Sequence, residues 1–155
     1  MIDLNGLPIE DVLNEKGFIA AHPIGFSMRP FLRANDTVVL VKIEGEIKPW
    51  DVVLFKRDDG VFVLHRVIKI SESSVLTRGD FELNFDAPVK RENVLAVLTE
   101  YYRGKKHVLV DDPKYIKKTH RWNDNNRKFK LTLYRKSVIL IHRFKNLFKK
   151  IFKKK

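Results

Sequence analysis

Four side chains in this 155-residue chain are of the types that hydrolytic chemistry uses. Ser27 stands in GFSMRP, between two large apolar residues and ahead of a proline; His65 stands in VFVLHRVIKI; Asp80 and Asp86 stand in TRGDFELNFDAPV. A serine hydroxyl is a weak nucleophile until a neighbouring base takes its proton. An imidazole becomes a competent base when a carboxylate fixes its tautomer and stabilises its cation. Together the three residue types point to acyl transfer to water. Each also has an ordinary explanation: a surface turn for Ser27, a hydrogen-bonded core histidine for His65, and a turn or cap role for each aspartate.

Among the five histidines (22, 65, 107, 120 and 142), His65 alone sits in the middle of an apolar run with strand character. A period of two puts Val61, Val63, His65 and Val67 on one face, and Phe62, Leu64, Arg66 and Ile68 on the other. An imidazole among valines must find a hydrogen-bond partner or bear the cost of desolvation. The turn-rich segment that follows the next strand offers two carboxylates for that purpose, Asp80 and Asp86.

These residues need rigid elements to carry them. Pro8 to Lys16 reads as a short helix, with proline in its first turn, acids early, lysine late and Gly17 as its stop. The pattern then turns β: residues 37–43, 51–55, 61–70, 74–78, 93–102 and 106–110 are rich in β-branched and aromatic residues. RDDG (57–60) and YRGKK (102–106) have hairpin chemistry. Several short strands at this spacing imply a mainly antiparallel, folded-over sheet, hence a mainly β chain of the α+β type. Pro30 biases Arg29 towards extended backbone, which would present Ser27 at a strand end. Beyond Asp111 the β signal gives way to a polar bridge and then a basic segment. Residues 1–110 are accordingly expected to form the chemical domain, and 111–155 the bridge and a C-terminal helix.

The chain has no cysteine, which excludes disulfides, thiolate metal sites and a thiol mechanism. Neither a cofactor nor a metal is called for. No secretory leader pattern opens the sequence and no apolar run is long enough to span a bilayer, so the expected compartment is the cytoplasm. The net charge of +12 is concentrated at the end, because residues 127–155 hold twelve Lys and Arg and no Asp or Glu. In 134–155, Val138, Ile141, Phe144, Phe148, Ile151 and Phe152 recur at helical spacing among the lysines. Such a basic amphipathic helix suits an anionic membrane surface, here the inner face of the membrane, or a structural packing role. Nucleic acid is disfavoured as a partner, since no base-reading motif accompanies the charge.

Three ordered blocks, GFSMRPFLRANDTVVLV, KPWDVVLFKRDDGVFVLHRVIKI and TRGDFELNFDAPVKRENVLAVLTEYYRG, resemble the signal peptidase I superfamily of serine peptidases, of S24/S26 type. The resemblance is to the members with a histidine base, as in the endoplasmic-reticulum and archaeal-type enzymes, and it runs from about Ile24 to Gly104. It implies a signal-peptidase- and LexA-like antiparallel β core and serine endopeptidase activity on a peptide or protein substrate. By the family's motifs, Ser27 is the nucleophile, with Met28 packed inward and Pro30 matching. His65, ahead of Arg66 and Val67, stands where bacterial members have a lysine. Gly79 and Asp80 match the family's Gly-Asp pair, and Asp86 matches the triad carboxylate, with Asp80 shaping its surroundings.

Three features depart from the family pattern. Gly25 replaces a serine that helps to build the oxyanion hole, leaving the Ser27 N–H as a donor, and loss of one donor costs on the order of 10²-fold in rate. RAND (33–36) stands in place of a Gly-Asp pair, and the usual N-terminal membrane anchor is not expected. The alternative function is therefore a catalytically weak peptide-binding or membrane-recruited adaptor on the same fold.

Overall fold

A computed structural model describes the backbone of residues 2–3, 8–124 and 127–152, and the side chains of 8–124 and 127–141. The architecture is α+β: an antiparallel sheet with a short helix between its first two strands, followed by C-terminal helices. Helix α1, Ile9–Lys16, buries Ile9 and Leu13. It ends where Gly17 adopts φ 75° and returns its N–H to the Leu13 carbonyl at 3.0 Å, a conformation that an L side chain would strain.

Nine strands among the described residues follow chain order as β1 (Ile2–Asp3), β2 (Phe18–Pro23), β3 (Thr37–Lys42), β4 (Val52–Lys56), β5 (Phe62–Ile70), β6 (Ser74–Arg78), β7 (Val89–Lys90), β8 (Val94–Arg103) and β9 (Lys106–Leu109). Among the described residues they pair in the order β1-β2-β3-β8-β4-β5-β6-β7, with β9 also on β8. Every pairing is antiparallel. The long strand β8 is the hub: β4 pairs with its first half, β9 with its second, and β3 runs along the other edge. Irregularities at Val39/Leu40, Leu54/Phe55 and Val67/Lys69 shift the register, and such bulges bend a sheet rather than let it lie flat.

Both faces of β5 pack, with Val63, His65 and Val67 buried on one and Leu64 and Arg66 on the other. Val63 and Val67 join Val53, Phe55, Val75, Val89 and Val94 in a buried cluster, with Val61 against it. Both expected hairpins are present, with Gly60 (φ 82°) turning β4 into β5 and Gly104 (φ 57°) turning β8 into β9. Strand β2 is an addition to the expected set. Its sequence FIAAHP is weak in β-formers, yet it alternates exposed and buried along its length and pairs with β3.

The chain forms two compact units, Met1–His120 and Arg121–Lys155. The stretch expected to be a polar bridge contains helix α2, Pro113–Trp122, whose Tyr115 and Thr119 are buried four residues apart. Tyr115 packs edge-on against Phe31 at 5.9 Å and lies 6.2 Å from Tyr101, so the first unit extends past residue 110. Helix α3, Arg127–Phe152, belongs to the second unit. No helix among the described residues is long and apolar enough to cross a membrane.

Candidate active site

Ser27 lies in a tight turn, four residues past the end of β2, rather than at a strand end. The Arg29 N–H bonds the Phe26 carbonyl at 3.1 Å, and the N–H groups of Phe31 and Leu32 both bond the Met28 carbonyl. The Arg29–Pro30 peptide is cis. This winding buries Met28, as expected, and leaves Ser27 half-buried. Two connections fix the turn. The Ser27 carbonyl accepts the Phe81 N–H at 2.7 Å, tying the turn to the segment after β6. At its far end buried Asp36 accepts the Arg33 N–H at 2.9 Å and two bonds from Arg103, at 2.8 and 2.6 Å, while Arg103 also donates to the Phe31 carbonyl at 2.7 Å. The RAND stretch thus forms a charged clamp between the turn and β8.

His65 is buried on β5, with Phe55 edge-on at 6.4 Å. Its Nδ1 is 2.8 Å from Asp86 Oδ2, and the same oxygen accepts the Thr77 hydroxyl at 2.6 Å. The Asp86 N–H bonds the Thr77 carbonyl at 2.9 Å, so β6 holds this aspartate by both backbone and side chain. Burial by itself would raise the Asp86 pKa, but the hydrogen bond and charge of His65, with the Thr77 hydroxyl and Arg57, outweigh it and hold the carboxyl below its ordinary value. An ionised Asp86 can only accept. Nδ1 therefore carries a proton, which leaves Nε2 as the ring nitrogen that can accept one.

Gly79 brings Nε2 and the serine together. A β-carbon placed on Gly79 would lie 3.1 Å from His65 Nε2 and 3.1 Å from Ser27 Cβ, so those two atoms are at most twice that distance apart. Among the described residues no hydrogen bond joins Ser27 to His65. The Ser27 N–H likewise makes no hydrogen bond among them and can serve as a donor to a developing oxyanion.

Asp80 takes a different position from Asp86. It is 1% exposed and forms a two-pronged ion pair with Arg66, at 2.9 and 2.8 Å. Arg66 also donates to the Trp50 carbonyl at 2.8 Å and to the Tyr115 hydroxyl at 3.4 Å. Asp80 and Tyr115 push the Arg66 pKa upward against its complete burial. His65 and Arg66 are successive residues of β5 and point to opposite faces, so the two aspartates serve opposite faces as well. Asp80 anchors the Gly79 loop through Arg66, and Asp86 is the carboxylate that meets His65.

Around the base, a cleft of about 670 Å³ is lined by residues that include Phe55, Val63, His65, Glu82, Asp86 and Pro88. Glu82, His65 and Asp86 each offer a ligand atom within 4.8 Å of the others, a spacing that a metal ion would accept. The direct His65–Asp86 bond already uses Nδ1 and Oδ2 on each other, so the cluster reads first as a hydrogen-bonded base with an added carboxylate. Ile24 and Phe26, close to Ser27 in sequence, are 44% and 62% exposed, and Phe26 packs edge-on to Phe81 at 5.8 Å.

The remaining described histidines are engaged elsewhere: His22 with the Asp36 carbonyl, His107 with Glu100, and His120 against the Trp50 ring. The His142 side chain lies outside the described residues. Sequence reasoning did not find Thr77, the packing role of Gly79 or the Asp36–Arg103 clamp. Thr77 could have been sought as the inward-facing hydroxyl on β6, between two partly exposed neighbours. Gly25 has φ 90° and open space around it, a backbone conformation that favours glycine.

Comparison of the chain with protein-family models, with curated proteins and with solved structures gives no match.

Proposed function

We propose that this chain is a serine endopeptidase that acts through Ser27, His65 and Asp86, as a histidine-base relative of the signal peptidase I superfamily. The observation that carries the reading is the placement of His65: one ring nitrogen is held by Asp86 at 2.8 Å and the other lies beside Gly79, next to Ser27. Three segments far apart in sequence supply these groups, in the order and roles that the resemblance implies.

In the proposed reaction, Ser27 Oγ attacks the carbonyl carbon of a peptide bond and His65 Nε2 takes the hydroxyl proton. The carbonyl oxygen becomes an oxyanion, to which the Ser27 N–H donates. Collapse breaks the C–N bond, and His65 returns the proton to the departing amine, leaving an acyl ester on Ser27. Water then attacks the ester with His65 again as base, releasing the acid and restoring Ser27. Asp86 stays ionised and stabilises the imidazolium in both halves. The exposed Ile24 and Phe26 favour a peptide substrate with apolar side chains near the scissile bond.

The test is digestion of a complex peptide library, read by mass spectrometry, with native protein and with Ser27→Ala. Cleavages made by the native protein and lost in Ser27→Ala support the reading; equal cleavage by both would overturn it. The absence of a Ser27–His65 hydrogen bond favours one second reading, a catalytically weak peptide-binding adaptor. In that case the library is bound by both proteins and cut by neither.

A further inference from the structure

The second unit carries a surface that peptide hydrolysis does not use. We propose that α3 lies along an anionic lipid surface, with an apolar stripe at the acyl boundary and its lysines and arginines at the headgroups. The helix is continuous for 26 residues, about 39 Å at 1.5 Å per residue. Phe129, Leu133 and Leu140 are 67%, 51% and 55% exposed, and their spacings of four and seven put them on one stripe. This stripe begins earlier than the one read from residues 134–155, and Ile139 and Ile141, about 100° round the helix on either side of Leu140, are exposed as well. By sequence register alone, Phe144, Leu147 and Ile151 continue it.

The buried positions near the start of α3 are Arg127 and Leu131, nearly half a turn round the helix from Phe129. The covered face is therefore not the apolar stripe. Lys128, Arg135, Arg143, Lys149 and Lys150 fall outside the stripe's centre, Lys136 lies on it between Leu133 and Leu140, where its long stem can carry the charge outward, and no acid occurs between 127 and 155. Lys130 is paired with Asp124, at the N-terminal approach to the helix.

Charge decides among the possible occupants. A second copy of α3 would bring nine more cations and no acid to pair with them. A nucleic acid would neutralise the cations and leave Phe129, Leu133 and Leu140 in water. An anionic bilayer satisfies both at once, with apolar side chains buried and each nearby cation contributing about fivefold in affinity.

The experiment is flotation of the full chain with vesicles of phosphatidylcholine, alone or mixed with phosphatidylglycerol, together with the fluorescence of a Leu133→Trp variant. Strong binding to the mixed vesicles is expected, weakening as salt rises from about 0.05 to about 0.5 M because the charges are screened. The added tryptophan should shift to the blue on binding, and Phe129→Ser/Leu133→Ser/Leu140→Ser should lower vesicle affinity by at least about tenfold. Equal binding to neutral vesicles, or a tryptophan unmoved by mixed vesicles, would overturn the proposal. So would duplex DNA binding that matches the vesicles and survives the triple substitution. If the triple variant loses its helical circular dichroism, the Leu133→Trp shift in the otherwise native chain decides.

Discussion

Gly79 and Ser27 approach so closely that a β-carbon on Gly79 would sit 2.7 Å from the Ser27 carbonyl oxygen. That oxygen is part of the backbone and is already bonded to the Phe81 N–H, so it cannot swing aside as a side chain would. Gly79→Ala must move the serine turn away from His65. A misplacement of about 1 Å can cost 10²-fold in rate, so turnover should fall by about that factor. Overpacking should lower stability by about 1–3 kcal/mol. Turnover and denaturant midpoint measured together check this, and native turnover in Gly79→Ala would contradict the packing role.

The two aspartates should separate activity from stability. Asp86→Asn removes the acceptor that fixes the His65 tautomer, and turnover should drop by about 10³ to 10⁴-fold with a smaller effect on folding. Asp80→Asn leaves Arg66 buried beside a neutral amide, and breaking a buried pair in this way costs about 3–5 kcal/mol. Urea denaturation and steady-state rates of both variants check the assignment. If Asp80→Asn were the more damaging to turnover at equal stability, the roles would be exchanged.

The contrast between these aspartates shows what the sequence could carry. The strand period put His65 and Arg66 on opposite faces, and the family resemblance, rather than the residues alone, pointed to Asp86 for His65. That Asp80 would pair with Arg66, 14 residues back on the other face, required the fold. The Asp36–Arg103 clamp spans 67 residues and could not be read from any local pattern. Strand β2 was missed because Ala20 and Ala21 carry little β preference, although its pairing with β3 decides their conformation. Helix α2 escaped notice because its ten residues are mostly polar, with Tyr115, Ile116 and Trp122 the only large apolar side chains. Gly79 matched a motif, but its need for a bare Cα is a matter of space.

The depressed pKa of Asp86 links the site to acid stability. A carboxyl whose folded value lies below its unfolded value contributes stability that is complete above the unfolded pKa of about 3.9 and is lost as pH falls through the folded value. Thr77→Val removes one of the hydrogen bonds that lower it. The acid limb of the stability curve should therefore shift to higher pH in Thr77→Val, as checked by urea midpoints across the acid range. An unchanged limb would show that the Thr77 hydroxyl does not stabilise the ionised form.

Gly25 has room for a side chain and the wrong backbone for one. Gly25→Ala should lower stability by about 1–2 kcal/mol, since a non-glycine residue at φ 90° is strained even in open space. A thermal midpoint equal to that of the native chain would mean that the turn relaxes to negative φ.

Covalent capture of the nucleophile addresses the catalytic reading most directly. The native protein is treated with a serine-directed phosphonylating probe, digested and mapped by mass spectrometry. One adduct is expected on Ser27, lost in His65→Ala because the hydroxyl then has no base to take its proton, and reduced in Asp86→Asn. An unmodified Ser27 in the native protein, or labelling of Ser27 that persists unchanged in His65→Ala, would contradict a serine nucleophile activated by His65.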